Sequence, residues 1–219
     1  MLIDLHAHSR SLSWDSDLDA DELVERARAA GLDGLCLTEH DYFWDAAELR
    51  ALGRRHDFLV LPGVEINTED GHFLCFGIDR YVYGMHRSRE LAAHVARAGG
   101  ACIAAHPYRR QMPWTPERES EYADALARAG ANPAYTACVA MERLNGRGSA
   151  VENDFAARLC DAMGLPSVAG SDAHAAADVG RCATEFQSRI EDVEGLVAAL
   201  KAGRFRPVSL ADGVSLTGA

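Results

Sequence analysis

Apolar runs that end in polar residues alternate with helical patterns along the chain, the signature of βα units built around a parallel sheet. Seven such runs stand out: Leu2 to His6, Gly34 to His40, Phe58 to Ile66, His72 to Ile78, Ala101 to His106, Ala137 to Glu142 and Pro166 to Asp172. Several are continuous rather than alternating, as expected of strands buried on both faces. Between them the spacing predicts helices over 46–55, 88–98, 151–163 and 193–202. Asp19, three residues before Glu22, is placed to cap one more helix that Gly31 closes. Thr115-Pro116-Glu117 marks a further start, with proline at the first helical position.

An open doubly wound sheet would give the same alternation, but it would usually carry a glycine-rich turn after an early strand. Neither G-x-G-x-x-G nor G-x-x-x-x-G-K-[ST] occurs. The expected fold is therefore α/β, a closed or nearly closed barrel of parallel strands with its chemistry at their C-terminal ends. At 219 residues, with no Pro-rich or Ser-rich linker, one domain over 1–219 is expected.

Composition narrows the class. No basic start with an apolar stretch opens the chain and no apolar run could span a bilayer, so a soluble cytoplasmic protein is expected. The six cysteines lie far apart without a C-x-x-C pair, which reads as reduced, mostly buried thiols. The formal net charge of −11 repels polyanions, so duplex nucleic acid is a poor partner. Three bound dications would bring −11 to −5 and concentrate the change at one site. Lys201 is the only lysine, which leaves Schiff-base chemistry almost without a candidate.

Six of the nine histidines (His6, His8, His40, His72, His106 and His174) fall at or beside predicted strand ends. His6 and His8, two apart on an extended segment, leave from the same face and can converge on one ion. Asp172 and His174 repeat that spacing on the last predicted strand. Thr38-Glu39-His40-Asp41, Gly63-Val64-Glu65 and Ala105-His106-Pro107 end other strands in an imidazole or carboxylate. Imidazole and carboxylate without thiolate suit zinc, manganese or iron, and a carboxylate such as Glu65 can bridge two ions. No G-x-S-x-G elbow offers a serine nucleophile, and Ser171 in Gly170-Ser171-Asp172 reads as a turn residue.

In order, Asp4-Leu5-His6-Ala7-His8-Ser9, Thr38-Glu39-His40-Asp41, Pro62-Gly63-Val64-Glu65, Ala105-His106-Pro107 and Gly170-Ser171-Asp172-Ala173-His174 resemble the polymerase and histidinol phosphatase (PHP) superfamily. The ending, from His174 through Val179-Gly180 to Gly203-Arg204-Phe205-Arg206-Pro207, looks like its stand-alone bacterial members. The resemblance implies a distorted barrel of seven βα units, up to three divalent metal ions, and hydrolysis of phosphoesters such as small phosphomonoesters, nucleotides or short oligonucleotides. It implies that His6, His8, Glu65 and Asp172 hold the first metal and the attacking hydroxide, Glu65, His72 and His106 the second, and Asp15, His40 and His174 the third. Periodicity leaves Asp15 and Asp17 equivalent, and the resemblance of Ser13-Trp14-Asp15-Ser16 to a family stretch favours Asp15. Glu39 stands where the family commonly has Asp and is expected to orient a ligand.

Arg109, Arg143 and Arg181 are the candidates for clamping phosphate through paired N–H donors, with Glu142 and Asn145 shaping the pocket. Two other functions share parts of the pattern. An amidohydrolase-like amide or ester hydrolase starts with the same H-x-H but usually relies on a bridging lysine, for which Lys201 is badly placed. An inactive metal-stabilised module would not need so full a set of ligands.

Overall fold

The computed structural model describes residues 1–113 and 115–210. In chain order its elements are β1 (Leu2–Ala7), α1 (Ala20–Ala29), β2 (Gly34–Leu37), α2 (Ala46–His56), β3 (Leu59–Pro62), β4 (Val64–Thr68), β5 (Gly71–Phe76), α3 (Ser88–Arg97) and β6 (Ala101–Ala104). There follow α4 (Glu119–Gly130), β7 (Ala140–Asn145), α5 (Ala150–Met163), β8 (Ser167–Gly170), β9 (Cys182–Phe186), α6 (Val193–Ala202) and β10 (Phe205–Ser209), with a 3-10 turn at Pro133–Ala137.

Helix ends follow the local chemistry. Asp19 accepts from Glu22 N, and Ser149 and Glu152 form a reciprocal capping box on α5. The buried faces recur at helical spacing, Leu23, Val24 and Ala27 on α1 and Phe155, Ala156, Leu159 and Cys160 on α5. One expected start is displaced. Thr115-Pro116-Glu117 forms a turn closed by Arg118 N on Thr115 O, and α4 begins only at Glu119.

The strands do not close into a seven-stranded barrel. Among the described residues they form two mixed sheets of five, ordered β10-β9-β1-β2-β3 and β4-β5-β6-β7-β8. β1, β2 and β3 are parallel, as are β6, β7 and β8, but β4, β5 and β6 pair antiparallel, as do β1, β9 and β10. The run from Phe58 to Ile66, expected as one strand, breaks at Gly63, where the chain passes from the first sheet to the second. A Cβ there would lie 2.7 Å from Phe76 Cε1 and 2.8 Å from Thr38 Cγ2, so only glycine fits between the sheets. β9 and β10 lie in a stretch that gave no strand signal.

The single-residue backbone bridges between the sheets fall at one end, while the Thr184 hydroxyl on β9 ties that strand to Ala169 of β8. Single-residue bridges join Ala7 to Ala173 and His40 to Glu65, at the C-terminal ends of β1 and β2. His8 N donates to Ala173 O (3.0 Å), Asp172 N to His6 O (2.7 Å) and Glu65 N to Glu39 O (3.1 Å). The histidine-bearing ends are thus drawn together whether or not the ladder closes elsewhere. Along β1, Asp4 and His6 alternate with Ile3 and Leu5, and all four are buried. All six cysteines are free and buried, and no helix of the described residues is long and apolar enough to cross a membrane.

Two glycines separate the packing constraint from ordinary backbone freedom. Gly63→Ala should destabilise the fold by about 1–3 kcal/mol through overpacking. Gly130→Ala, at the end of α4 with only an ordinary contact to Leu159 Cδ1 at 3.8 Å, should be neutral or stabilising by up to about 1 kcal/mol. Urea unfolding of both variants checks the pair, and equal effects would remove the special status of Gly63.

Candidate metal centre

Glu65, fully buried on β4, is the hub of the site. Its Oε1 lies 2.7 Å from His72 Nδ1 and 2.8 Å from His106 Nε2. Its Oε2 lies 3.1 Å from His40 Nδ1 and 3.2 Å from both His6 Nε2 and His8 Nε2. One carboxylate therefore touches five imidazoles brought by β1, β5 and the loops after β1, β2 and β6. Asp172, also buried, sets Oδ1 at 3.4 Å from His6 Nε2, 3.5 Å from His174 Nδ1 and 3.6 Å from His8 Nε2. At the outer end Asp15 Oδ2 lies 3.1 Å from His174 Nε2 and 3.4 Å from His40 Nε2. Asp17 is exposed, and only its backbone N–H meets His174 O, at 2.8 Å.

The donor set fits cations. Imidazole and carboxylate donors fall into four overlapping groups whose atoms lie within 4.8 Å of one another: His8, His40 and His174; His6, His8 and Asp172; His6, Glu65 and His106; and His40, Glu65 and His72. The groups share His6, His8, His40 and Glu65, so they do not by themselves divide the donors among ions. His6 Nε2 and His8 Nε2 face each other at 3.1 Å. Two lone pairs cannot meet there without a proton or an ion between them. Asp172 Oδ1 and His106 Nδ1 are buried with no hydrogen-bond partner among the described residues. Such orphaned atoms are costly unless something else completes them.

Electrostatics point the same way. Burial alone would keep the His6 imidazole neutral, but Asp172, Glu142 and Glu65 outweigh it and raise it well above its ordinary value. Burial lowers His8 to about 4. For Glu65, burial opposes ionisation, yet the His6 charge and the hydrogen bond from His106 hold it well below the usual carboxylate range. Asp172 is likewise depressed, against burial, by His6, His106 and Arg109. The carboxylates stay ionised in a buried pocket and draw positive charge toward them.

Outer contacts fix the rings. Glu142 Oε1 sits 3.0 Å from His6 Nδ1, and its Oε2 accepts from His106 N (2.7 Å) and Asn145 Nδ2 (3.0 Å). Asn145 Nδ2 also reaches Asp172 Oδ2 at 3.3 Å. Glu39 accepts from the Ser9 and Ser13 hydroxyls and from Trp44 Nε1, while Ser13 Oγ lies 3.3 Å from His8 Nδ1. Ser171 N donates to Asp4 Oδ1 and its hydroxyl to His6 O, a turn-holding position. His106 and Asp172 have positive φ of 25° and 54°, uncommon for residues other than glycine. That strain is stored at two of the candidate ligands.

The three arginine candidates separate. Arg109 reaches the centre, with Nη2 donating to Asp172 Oδ2 at 2.6 Å and Nη1 3.0 Å from His106 Nε2. Arg143 neighbours Glu142 on β7, so its side chain leaves by the opposite face and pairs with Asp161 of α5 at 2.6 Å. Arg181 donates to the carbonyls of Ala177 and Gly146. A residue the sequence did not single out joins instead: exposed Arg147 brings Nη1 within 2.9 Å of His174 Nδ1. Its only signal was its place just after the strand that carries Glu142 and Asn145.

The PHP domain matches residues 4–133, more than half the chain, and a PHP-associated family matches residues 151–205. The chain belongs to the PHP-domain family. The 3',5'-nucleoside bisphosphate phosphatase of Chromobacterium violaceum is 35% identical over 111 residues, which span 47% of this chain and only 38% of that protein. Solved structures share the fold. PsfC from Pseudomonas syringae superposes with a TM-score of 0.62 at 19% identity, over 95% of this chain and 91% of that one. A protein assigned as a metal-dependent phosphoesterase from Bifidobacterium adolescentis gives 0.58 at 16%, over 90% and 95%. An amidohydrolase from Chromobacterium violaceum, solved with sulfate and no metal, gives 0.56 at 24%, over 96% and 99%.

Asp4, which accepts from the backbone N–H of His6, supplies a pH test of this PHP site. Burial pushes its carboxyl up to about 6, so the folded protein holds that proton more tightly than the unfolded chain. The associated stability is present below pH about 4 and is lost as pH rises through about 6. In chelator-treated protein, Asp4→Asn should therefore gain on wild type by up to about 3 kcal/mol between pH about 4 and about 7. Parallel denaturation curves across that range would remove Asp4 as the cause.

Proposed function

We propose that this chain is a metal-dependent phosphoesterase acting on small phosphomonoesters, nucleotides or short oligonucleotides. The observation that carries the reading is the Glu65 carboxylate shared among five imidazoles, with Asp172 and Asp15 closing the two ends. His6, His8, Glu65 and Asp172 would hold one ion, Glu65, His72 and His106 a second, and Asp15, His40 and His174 a third. Zinc, manganese and iron all suit these donors. When bound, such ions lower the pKa of a coordinated water toward neutrality and neutralise charge on a phosphoryl group.

The chain's own residues do the rest. Glu142 and Asn145 hold His6, His106 and Asp172 in position. Ser13 fixes the His8 ring, and Glu39 holds Ser13. Arg109 anchors Asp172 with one N–H and directs another at His106 Nε2, whose interaction is already committed to Glu65. That second N–H is available to a phosphate oxygen. Arg147 stands in the same relation to His174, whose Nδ1 is engaged by Asp172 O at 2.8 Å. The relative's name supports nucleotides within the substrate class. The six free thiols fit a cytoplasmic setting.

An amidohydrolase reading has less support, because Lys201 lies on α6 and donates to Gly99 O rather than reaching the centre. A substrate panel of phosphomonoesters, phosphodiesters and amides, with metal analysis of the purified protein, distinguishes the two. His6→Ala and Asp172→Ala should each lower phosphatase kcat/KM by more than about 100-fold, beyond the loss typical of outer contacts to a ligand. Near-wild-type hydrolysis at full metal content would refute the shared site. Asp15→Asn should lose one metal equivalent, whereas Asp17→Asn should keep full stoichiometry, and the reverse result would move the third site. Arg109→Ala should raise KM for phosphomonoesters, and unchanged kinetic constants would end its role as a clamp.

A further inference from the structure

Large aromatic side chains stand in solvent beside the centre. Trp14 is 92% exposed and Tyr42 48%. Each is fixed by covalent geometry close to one contact of the site, the 3.4 Å approach of Asp15 to His40. Trp14 adjoins Asp15, and Tyr42 lies two residues after His40.

Exposure here is not the looseness of a free loop. Ser16 N donates to Ser13 O, which makes Trp14 and Asp15 the two central residues of a tight turn. Both ends of that turn are buried and tied down. Ser13 N donates to Ser9 O and its hydroxyl to Glu39, while the Ser16 hydroxyl reaches His8 O at 2.9 Å and His174 O at 3.2 Å. One central residue meets the histidines and the other is held out in water. Tyr42 is presented in a comparable way. It follows Asp41, which has φ of 54°, donates its N–H to Glu65 O and accepts from Asn67 N and Nδ2 at 3.0 Å.

We propose that Trp14, with Tyr42 across the Asp15–His40 contact, forms a stacking subsite for the planar base of a nucleotide whose phosphate lies in the centre. This rests on the phosphoesterase reading and names the part of the substrate that the metal ligands cannot recognise. An indole face pairs with any base without hydrogen-bond readout, so the subsite selects aromatic leaving groups over bare sugars and tolerates base identity. Arg147, beside His174 at the same end, suits an anionic group on the nucleoside.

The test compares adenosine 5'-monophosphate with ribose 5-phosphate, the same sugar phosphate without its base, on metal-loaded protein. Trp14→Ala should lower kcat/KM for the nucleotide about tenfold, the scale of one base stacked on one ring, and leave ribose 5-phosphate within about twofold. Trp14→Phe should retain most of the preference, and Tyr42→Ala should shift it in the same direction. Equilibrium binding of adenosine, which has no phosphate, gives a readout independent of turnover and should weaken about tenfold in Trp14→Ala. Equal losses on both substrates, or adenosine binding unchanged by the substitution, would overturn the subsite. If adenosine binding depends on Trp14 while neither phosphate ester is hydrolysed, the subsite stands and the phosphoesterase reading falls. A change in sedimentation mass on Trp14→Ala without loss of base preference would make the indole a protein contact and overturn the proposal.

Discussion

The buried charge of Glu65 is the constraint on which the rest of the site depends. A carboxylate with no exposure to water must be compensated at close range, and here the compensation comes from five imidazoles at 2.7–3.2 Å. Those rings come from separate segments of both sheets. Satisfying one charge therefore requires the C-terminal ends of β1 and β2 to meet β4, β5 and the segment after β6. The bridges Ala7–Ala173 and His40–Glu65 occur where this requirement acts. Away from it no backbone bridge joins the sheets among the described residues, and β9 is held to β8 by the Thr184 side chain on Ala169 instead.

Close approach then dictates small residues and unusual backbone nearby. At Gly170 a Cβ would fall 2.5 Å from His6 Cβ and 2.8 Å from Glu142 Oε1, so the last strand of the second sheet can lie against β1 only without a side chain. Two residues later Asp172 takes a positive φ and directs its carboxylate back to His6 and His8. After β6, His106 also takes a positive φ and directs its Nε2 to Glu65 while its N–H is held by Glu142. Local conformational cost at these positions is offset by contacts that would otherwise be lost by buried polar groups.

The positions that converge on Glu65 and Asp172 were legible because the signal is local. An H-x-H or D-x-H pair on an extended segment shares a face whatever sheet it joins, so His6, His8, Asp172 and His174 could be read together. Asp19 as a helix cap was legible for the same reason. The absence of a closed seven-stranded barrel was not, because alternation of strands and helices reports neither pairing partner nor direction. Phe58 to Ile66 has the hydrophobicity of one strand, and only the contacts of Gly63 with Phe76 and Thr38 show why it must be two. The arginines illustrate the other limit. Arg143 beside Glu142 was a reasonable candidate in one dimension, yet strand alternation sends neighbours to opposite faces, and Asp161 on α5 takes it up. Arg147, five residues beyond Glu142 in a turn, needed the fold to bring it to His174.

Charge distribution explains why such a site suits small anions. Outside the centre the surface of a chain with net charge −11 disfavours a long polyanion. Inside it, positive charge comes from guanidinium groups and from the cations that the imidazole and carboxylate donors suit, with Lys201 tied to Gly99 O on α6. Arginine cannot lose its proton, and the Asp172 carboxylate 2.6 Å from Arg109 favours its charge further, in a pocket where other groups are displaced from their ordinary pKa values. On the proposed reading, a phosphate group entering between Arg109 and the histidines would gain two kinds of attraction within a few ångströms, while the rest of a longer nucleic acid would meet repulsion. On the proposed phosphoesterase reading, selectivity for size would follow from where the charges lie, and recognition of the remainder of a small substrate would be left to uncharged side chains at the rim.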